Sequence, residues 1–237
     1  VVEVYCSERG YNPNVFETRY AISQNKTEKD KVQVVHVAEN KIELNKRLQQ
    51  FKKYRVSNIS PMPIAIPTIL NMGLEDNCLI VNIEDKTTIT TIIDKQVSHI
   101  DNFEEGSSDI LDKINVKENS YSKAYEICKN TTIYTSEGRA LQGEETTYLE
   151  DIIPTLYNVL GYVRKIVNEN TDQIRKIYLT GTAALINNID LYFQEYLSDI
   201  SCEILKPYFV QTTRPITIKD YIEVNSAIAL AAMGVGE

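Results

Sequence analysis

A strand-like run, Ile177-Tyr178-Leu179, passes into Thr180-Gly181-Thr182-Ala183 and then into apolar residues at helical spacing. A strand that turns through glycine into a helix presents backbone N–H groups, which is the chemistry that holds phosphate. The same glycine also serves as a plain connection, because glycine adopts positive φ without steric penalty. Two carboxylate pairs, Glu104-Glu105 and Glu144-Glu145, have the residue types for acid–base work. Neither lies in an apolar frame that would tune it for proton transfer, so both read as solvated turns. His36, inside Val34-Val35-His36-Val37, reads as a packed strand residue, and His99 as half exposed in a hairpin. Two distant histidines and four scattered cysteines (Cys6, Cys78, Cys128, Cys202) give no metal-ligand spacing. The thiols fit buried, reduced cysteines. No G-x-S-x-G motif is present.

Composition narrows the classes further. The 237 residues carry a net charge of −8 without a long basic cluster, which argues against nucleic acid as a partner. Hydrophobic content of 43% and charged content of 24% are those of a globular chain. No apolar run approaches the ~18 residues of a membrane span, and Val1-Val2-Glu3-Val4-Tyr5 does not read as a signal peptide. The first residue is not Met, as expected of a processed or partial chain.

The elements that must position these residues follow from periodicity. Residues 1–38 read as strands, with Phe16–Ser23 and Lys31–Ala38 flanking the polar turn Gln24–Asp30. Asn40 is a good N-cap, with Glu43 spaced for a capping box and Leu44, Leu48 and Phe51 on one helix face. Tyr54–Ser60 reads as a returning strand before Pro61, Pro63 and Pro67. Cys78–Glu84, Lys86–Asp94 and Lys95–Phe103 read as an antiparallel meander. Gly106-Ser107-Ser108 then turns into helices over about 108–115 and 120–130, with Ser108 or Asp109 as cap. Thr131–Glu145 reads as loop. Leu149, Ile152, Ile153, Leu156, Val159, Leu160, Val163, Ile166 and Val167 keep steps of three and four, a long amphipathic helix. A short strand near Cys202–Leu205 and a core helix over Tyr221–Gly234 complete an α/β layered chain.

The order "LIVNIEDKTTITTIIDKQVSHIDNFEEGSSDIL", then "AYEICK", "IRKIYLTGTAAL" and "NSAIALAAMG", resembles the actin-like ATPase superfamily. Within it, the chain is similar to the PilM branch of type IV pilus assembly proteins and their relative FtsA. The resemblance covers about residues 30–237. It implies an α/β, actin-like (ribonuclease H-like) fold with a small inserted α/β subdomain. Residues 1–60 would hold that subdomain and the end of a first lobe, and 61–237 a lobe with the nucleotide-site remnants. Carried over residue by residue, Gly181, Thr182 and Ala183 would face adenosine and Lys129 the sugar. Thr87 and Asn82 would face phosphates and metal, and Gly106, in the turn after the hairpin, would belong to the same nucleotide site.

Departures from the family pattern set the functional expectation. Where the family has Asp-Ile-Gly, this chain has Asn82-Ile83-Glu84. Glu84 would set a carboxylate against phosphate, a repulsion on the order of a few kcal/mol. Tyr125 replaces the acid of the sugar-contact motif, and only one glycine remains at the adenosine turn. The resemblance therefore implies a cytoplasmic adaptor at the inner face of the cell membrane, without nucleotide cofactor or catalytic residue and without membrane insertion. It would serve a type IV pilus or type II secretion platform. Its partners would be the cytoplasmic segment of a PilN-like membrane protein, docking within residues 30–75, and other platform proteins including the assembly motor. One alternative is a working ATP-binding protein or slow ATPase using ATP with Mg. Another is an FtsA-like division protein.

Overall fold

The computed structural model describes residues 2–22, 34–56, 58–67, 77–135, 141, 143–170, 173–197, 199–207 and 213–235. They fall into two compact units, Val1–Ile59 and Ser60–Glu237.

The first unit opens on a helix, not the strand read from its sequence. α1 spans Val2–Glu8, β1 Phe16–Ile22, β2 Val34–Asn40 and α2 Lys41–Gln49. The helix is explained by where Tyr5 and Cys6 go. Strand alternation would send these neighbours to opposite faces, whereas here both meet His36. The Tyr5 ring lies edge-on to the imidazole at 5.5 Å, and Cys6 Sγ is 3.4 Å from its Nε2. β1 and β2 pair antiparallel from Phe16↔Asn40 to Ile22↔Val34; the expected turn between them, Gln24–Asp30, lies outside the described residues. Asn40 caps α2, its Oδ1 accepting from Ile42 N at 2.9 Å. Glu43 does not complete the capping box but pairs with Lys46 at 3.1 Å. The described residues of 54–60 contain no strand. Phe51 N donates to Leu48 O and Tyr54 N to Phe51 O, so the chain leaves α2 through tight turns.

The second unit is built on one five-stranded sheet. β3 (Cys78–Ile83), β4 (Thr87–Ile93) and β5 (Gln96–Phe103) form the expected meander. Asp94 and Lys95 join β4 to β5 with φ of 49° and 63°, the twist a two-residue hairpin loop requires. β6 (Lys176–Thr180) lies parallel to β3, and β7 (Ser201–Ile204) parallel to β6, giving the order β5-β4-β3-β6-β7. Every residue of β3 is buried, as expected for a central strand covered on both faces.

Alternation splits that strand between two cores. Leu79, Val81 and Ile83 pack with α4 (Ser107–Glu118), α5 (Tyr121–Asn130), α6 (Leu149–Glu169) and α7 (Ile189–Tyr196). Cys78 and Ile80 pack with Ala65 and Ile66 at the short α3 (Met62–Ala65) and with Ala229 of α8 (Ile218–Val235). α6 buries Ile152, Leu156, Val159, Leu160, Val163, Ile166 and Val167, the face its spacing predicts. Of the expected loop 131–145, residues 136–140 and 142 lie outside the described residues, as do the side chains of Glu144 and Glu145.

Next to the site the turn expected at Thr180–Ala183 is present, and the helix expected to follow it starts late. A 3₁₀ turn covers Thr182–Leu185, and α7 starts at Ile189. The delay has a visible cause: Asn187 N donates to Thr131 O at 2.9 Å and Ile133 N to Asn187 O at 3.2 Å. This backbone tie holds the chain extended before α7.

Candidate functional site

In open α/β sheets ligands gather outside the carboxyl ends of strands, where the strand order reverses. Here that place is the neighbouring ends of β3 and β6, since β3 runs parallel to β6 and antiparallel to β4. β3 ends in Asn82-Ile83 and enters the turn Glu84–Lys86; β6 ends in Thr180 and enters Gly181.

Two glycines press on the β3–β4 turn. Gly181 has φ 88° and ψ 176°, and a Cβ there would stand 2.7 Å from the carbonyl carbon and oxygen of Ile83. Gly106 has ordinary extended φ, but its Cβ would fall 2.2 Å from Glu84 O and 2.6 Å from Asp85 O. Ser107 N donates to Glu84 O at 2.6 Å, and Ser108 Oγ to Asp85 O at 2.7 Å. The turn is therefore held by α4's first residues on one side and by the β6 turn on the other.

Of the groups placed by resemblance on phosphate, metal and sugar, all but the Asn82 side-chain oxygen have partners within the protein. Thr87 is fully buried, and its N–H and hydroxyl both donate to Glu105 O, at 3.1 and 2.8 Å. Gly106 N donates to Asp109 Oδ2 at 2.8 Å, which caps α4. The Thr182 hydroxyl donates to Glu84 Oε2 at 2.7 Å, bridging the two strand ends. Ala183 is buried in the core. Asn82 is 5% exposed, and its Oδ1 has no hydrogen-bond partner. Asn82, Glu84, Gly181 and Thr182 thus come together, while Thr87 and Gly106 flank the other side of the same turn.

Lys129 is part of a separate cluster that joins α5 to α8. Its Nζ lies 2.6 Å from Glu223 Oε1, and Tyr125 OH donates to the same oxygen at 2.8 Å. Lys219 Nζ donates to Lys129 O. Burial, then the Glu223 hydrogen bond, push the Tyr125 phenol up to about 12; the Glu84 carboxylate adds to the shift, so the cluster lies within its field. Lys129 holds the Glu223 carboxyl below its ordinary value, helped by Tyr125. Burial, then the Lys129 charge, push Lys219 down.

A pH dependence follows from Glu223. A carboxylate depressed in the folded state adds stability above its unfolded pKa and loses it as pH falls through the folded one. The wild-type melting temperature is expected to fall on acidification below about pH 5 by more than that of Glu223→Gln, which has no such group. Parallel melting curves for the two proteins across that window would contradict the assignment.

Glu223, Lys219 and Asn225 escaped sequence reading. Glu223 and Asn225 lie in the stretch read as a core helix and Lys219 just before it; the available signal was the i, i+4 spacing of Lys219 and Glu223. Among the described residues no group of three or more His, Cys, Asp or Glu could hold a metal ion. Nor, among the described residues, is any helix long and apolar enough to cross a membrane.

Sheet order, the two helical layers and the paired turns at the β3 and β6 ends define a protein of actin-like fold. A scan against protein-family models and a search of curated proteins returned no match. Solved structures do match, at 12–15% identity, where the likeness is one of fold. Over 99% of its length the chain superposes on a chain of the PilM–PilN type IV pilus biogenesis complex, with TM-score 0.74 and 15% identity, covering 71% of that chain. MreB 5 of Spiroplasma citri bound to AMPPNP matches over 83% of this chain and 63% of its own, with TM-score 0.56 and 15% identity. The ethanolamine utilization protein EutJ from Carboxydothermus hydrogenoformans matches over 72% and 53%, with TM-score 0.50 and 12% identity.

Proposed function

We propose that the protein is a PilM-like adaptor of a type IV pilus or type II secretion platform, acting at the cytoplasmic face of the inner membrane through protein contacts. In this reading its actin-like nucleotide site does not work. The observation that carries it is the Glu84–Thr182 hydrogen bond. A carboxylate occupies the gap between the strand ends, and the adjoining hydroxyl that would face a nucleotide is spent on it. Thr87, Gly106 and Lys129 also have partners within the protein, which supports a site that does not hold Mg-ATP.

The partner in this reading is the cytoplasmic segment of a PilN-like membrane protein, with the assembly motor and other platform proteins nearby. Support comes from the likeness to the PilM–PilN complex and from the first unit. Ile42 and Tyr54 are 70% and 73% exposed there, with Phe51 and Ile59 also exposed. Large apolar groups left in water are suited to hold the side chains of an extended segment whose main chain adds hydrogen bonds. Isothermal titration with the cytoplasmic segment of a cognate PilN-like membrane protein is expected to give binding. Ile42→Asp with Tyr54→Asp should weaken it at least tenfold, about 1.4 kcal/mol. Absence of heat with the wild type at any accessible concentration would remove the adaptor reading.

A further inference from the structure

Charge is unevenly spread along the chain. Residues 1–59 hold 11 Lys or Arg against 7 Asp or Glu, whereas the whole chain holds 25 against 33. The basic excess gathers in one stretch. Between Lys41 and Arg55 lie 6 basic residues and a single acid, Glu43. An ordinary solvated surface interleaves both signs, and this one does not. Glu43 pairs with Lys46 at 3.1 Å, and Lys41 Nζ donates to Pro13 O at 2.5 Å. Among the described residues no carboxylate pairs with Arg47, Lys52, Lys53 or Arg55.

The same stretch keeps its apolar groups in water. No residue of α2 is buried. Just beyond it, Tyr54 N donates to Phe51 O at 2.8 Å, which closes a turn with Lys52 and Lys53 at its tip. Phe51 and Tyr54, the two ends of that turn, are exposed, and so are Val56 and Ile59 after it. Two lysines thus stand between two exposed rings.

A partner for this surface must carry negative charge and accept apolar side chains. Single-stranded nucleic acid offers phosphates, but its bases stack on rings, and Ile42, Val56 and Ile59 are aliphatic. The cytoplasmic flank of a membrane protein is itself rich in Lys and Arg, so it leaves the basic groups unmatched. An anionic bilayer surface meets both demands. Its headgroups take Lys and Arg, and aromatic and aliphatic side chains settle at headgroup depth.

We propose that Lys41–Arg55, with the turn Phe51–Tyr54 at its tip, is a contact surface for anionic phospholipid and holds the first unit against the bilayer without spanning it. The proposal rests on the membrane-face location proposed above, not on the peptide contact. Sedimentation of the full chain with vesicles of phosphatidylcholine alone, and of equal parts phosphatidylcholine and phosphatidylglycerol, tests it. Binding is expected to the anionic vesicles only, and to fall as KCl screens the charges. Each basic residue near such a surface is worth roughly fivefold in affinity. Lys52→Gln, Lys53→Gln and Arg55→Gln together should therefore weaken vesicle binding at least tenfold. The same triple variant should bind the PilN-like segment as the wild type does, because every apolar group remains. Equal binding to both vesicle types, or a triple variant that sediments like the wild type, would overturn the lipid contact. Tighter binding of a short single-stranded oligodeoxythymidine through the same three residues would also overturn it and assign the surface to nucleic acid. Vesicle binding without segment binding strikes the adaptor reading alone, and segment binding without vesicle binding strikes the lipid contact alone.

Discussion

Gly181→Ala is expected to destabilise the Ser60–Glu237 unit by about 4 kcal/mol and to lower its melting temperature by roughly 10 °C. Two effects add at this position. The backbone stands at φ 88° with ψ near 180°, a region closed to residues with a Cβ. The new methyl would also meet Ile83 backbone atoms at 2.7 Å, on a strand with no room to move because all six of its residues are buried. Gly10→Ala is the control. Gly10 also has positive φ, at 73°, but no atom lies within 4 Å of its Cβ position. Only conformational strain applies there, about 1 kcal/mol. Thermal or urea unfolding of both variants decides the point. A Gly181→Ala loss no larger than the control's would mean the turn does not press on β3.

The second large effect concerns nucleotide. Millimolar Mg-ATP or Mg-ADP is expected to leave the wild-type melting temperature unchanged, whereas a ligand at 100 times its dissociation constant would add about 2.7 kcal/mol. The double variant Asn82→Asp, Glu84→Gly removes the carboxylate, frees the Thr182 hydroxyl and supplies a metal-binding oxygen. Carboxylate–phosphate repulsion near a protein surface is about 4 kcal/mol at 4 Å. Its removal should raise nucleotide affinity at least tenfold, read by calorimetry or thermal shift. A clear shift with the wild type would move the protein to the nucleotide-binding class. Failure of the variant to gain affinity would place the defect at Thr87 or Gly106, whose donors are already spent.

Where each residue's burial follows from period alone, the sequence was a sufficient guide. The β3–β4–β5 meander, α6 and the glycine turn after β6 were all legible from alternation, heptad-like spacing and turn chemistry. The failures have long-range causes. α1 is helical because Tyr5 and Cys6 converge on His36, 30 or so positions later, and no local pattern encodes that. The helix expected directly after the Thr180–Ala183 turn is postponed to Ile189 by a backbone tie to Thr131 and Ile133. At the site, the departures Glu84 and Tyr125 were visible as residue types. Their partners were not: Thr182 lies 98 positions from Glu84, and Glu223 lies 98 from Tyr125.

Separations of that size also govern how the molecule must assemble. β3 finds β4 within a few residues, but its other neighbour is β6, in register from Cys78↔Lys176 to Asn82↔Thr180. Non-local parallel pairing closes late because the loop entropy must be overcome before any contact rewards it. Until β6 arrives, the edge of Cys78-Leu79-Ile80-Val81-Asn82-Ile83 is an uncharged, proline-free, β-favouring ribbon with unsatisfied main-chain groups. Such a ribbon pairs with its own copies as readily as with β6. Refolding yield should therefore fall with protein concentration, and the kinetic competition for one strand edge, more than final stability, sets how much active chain is recovered.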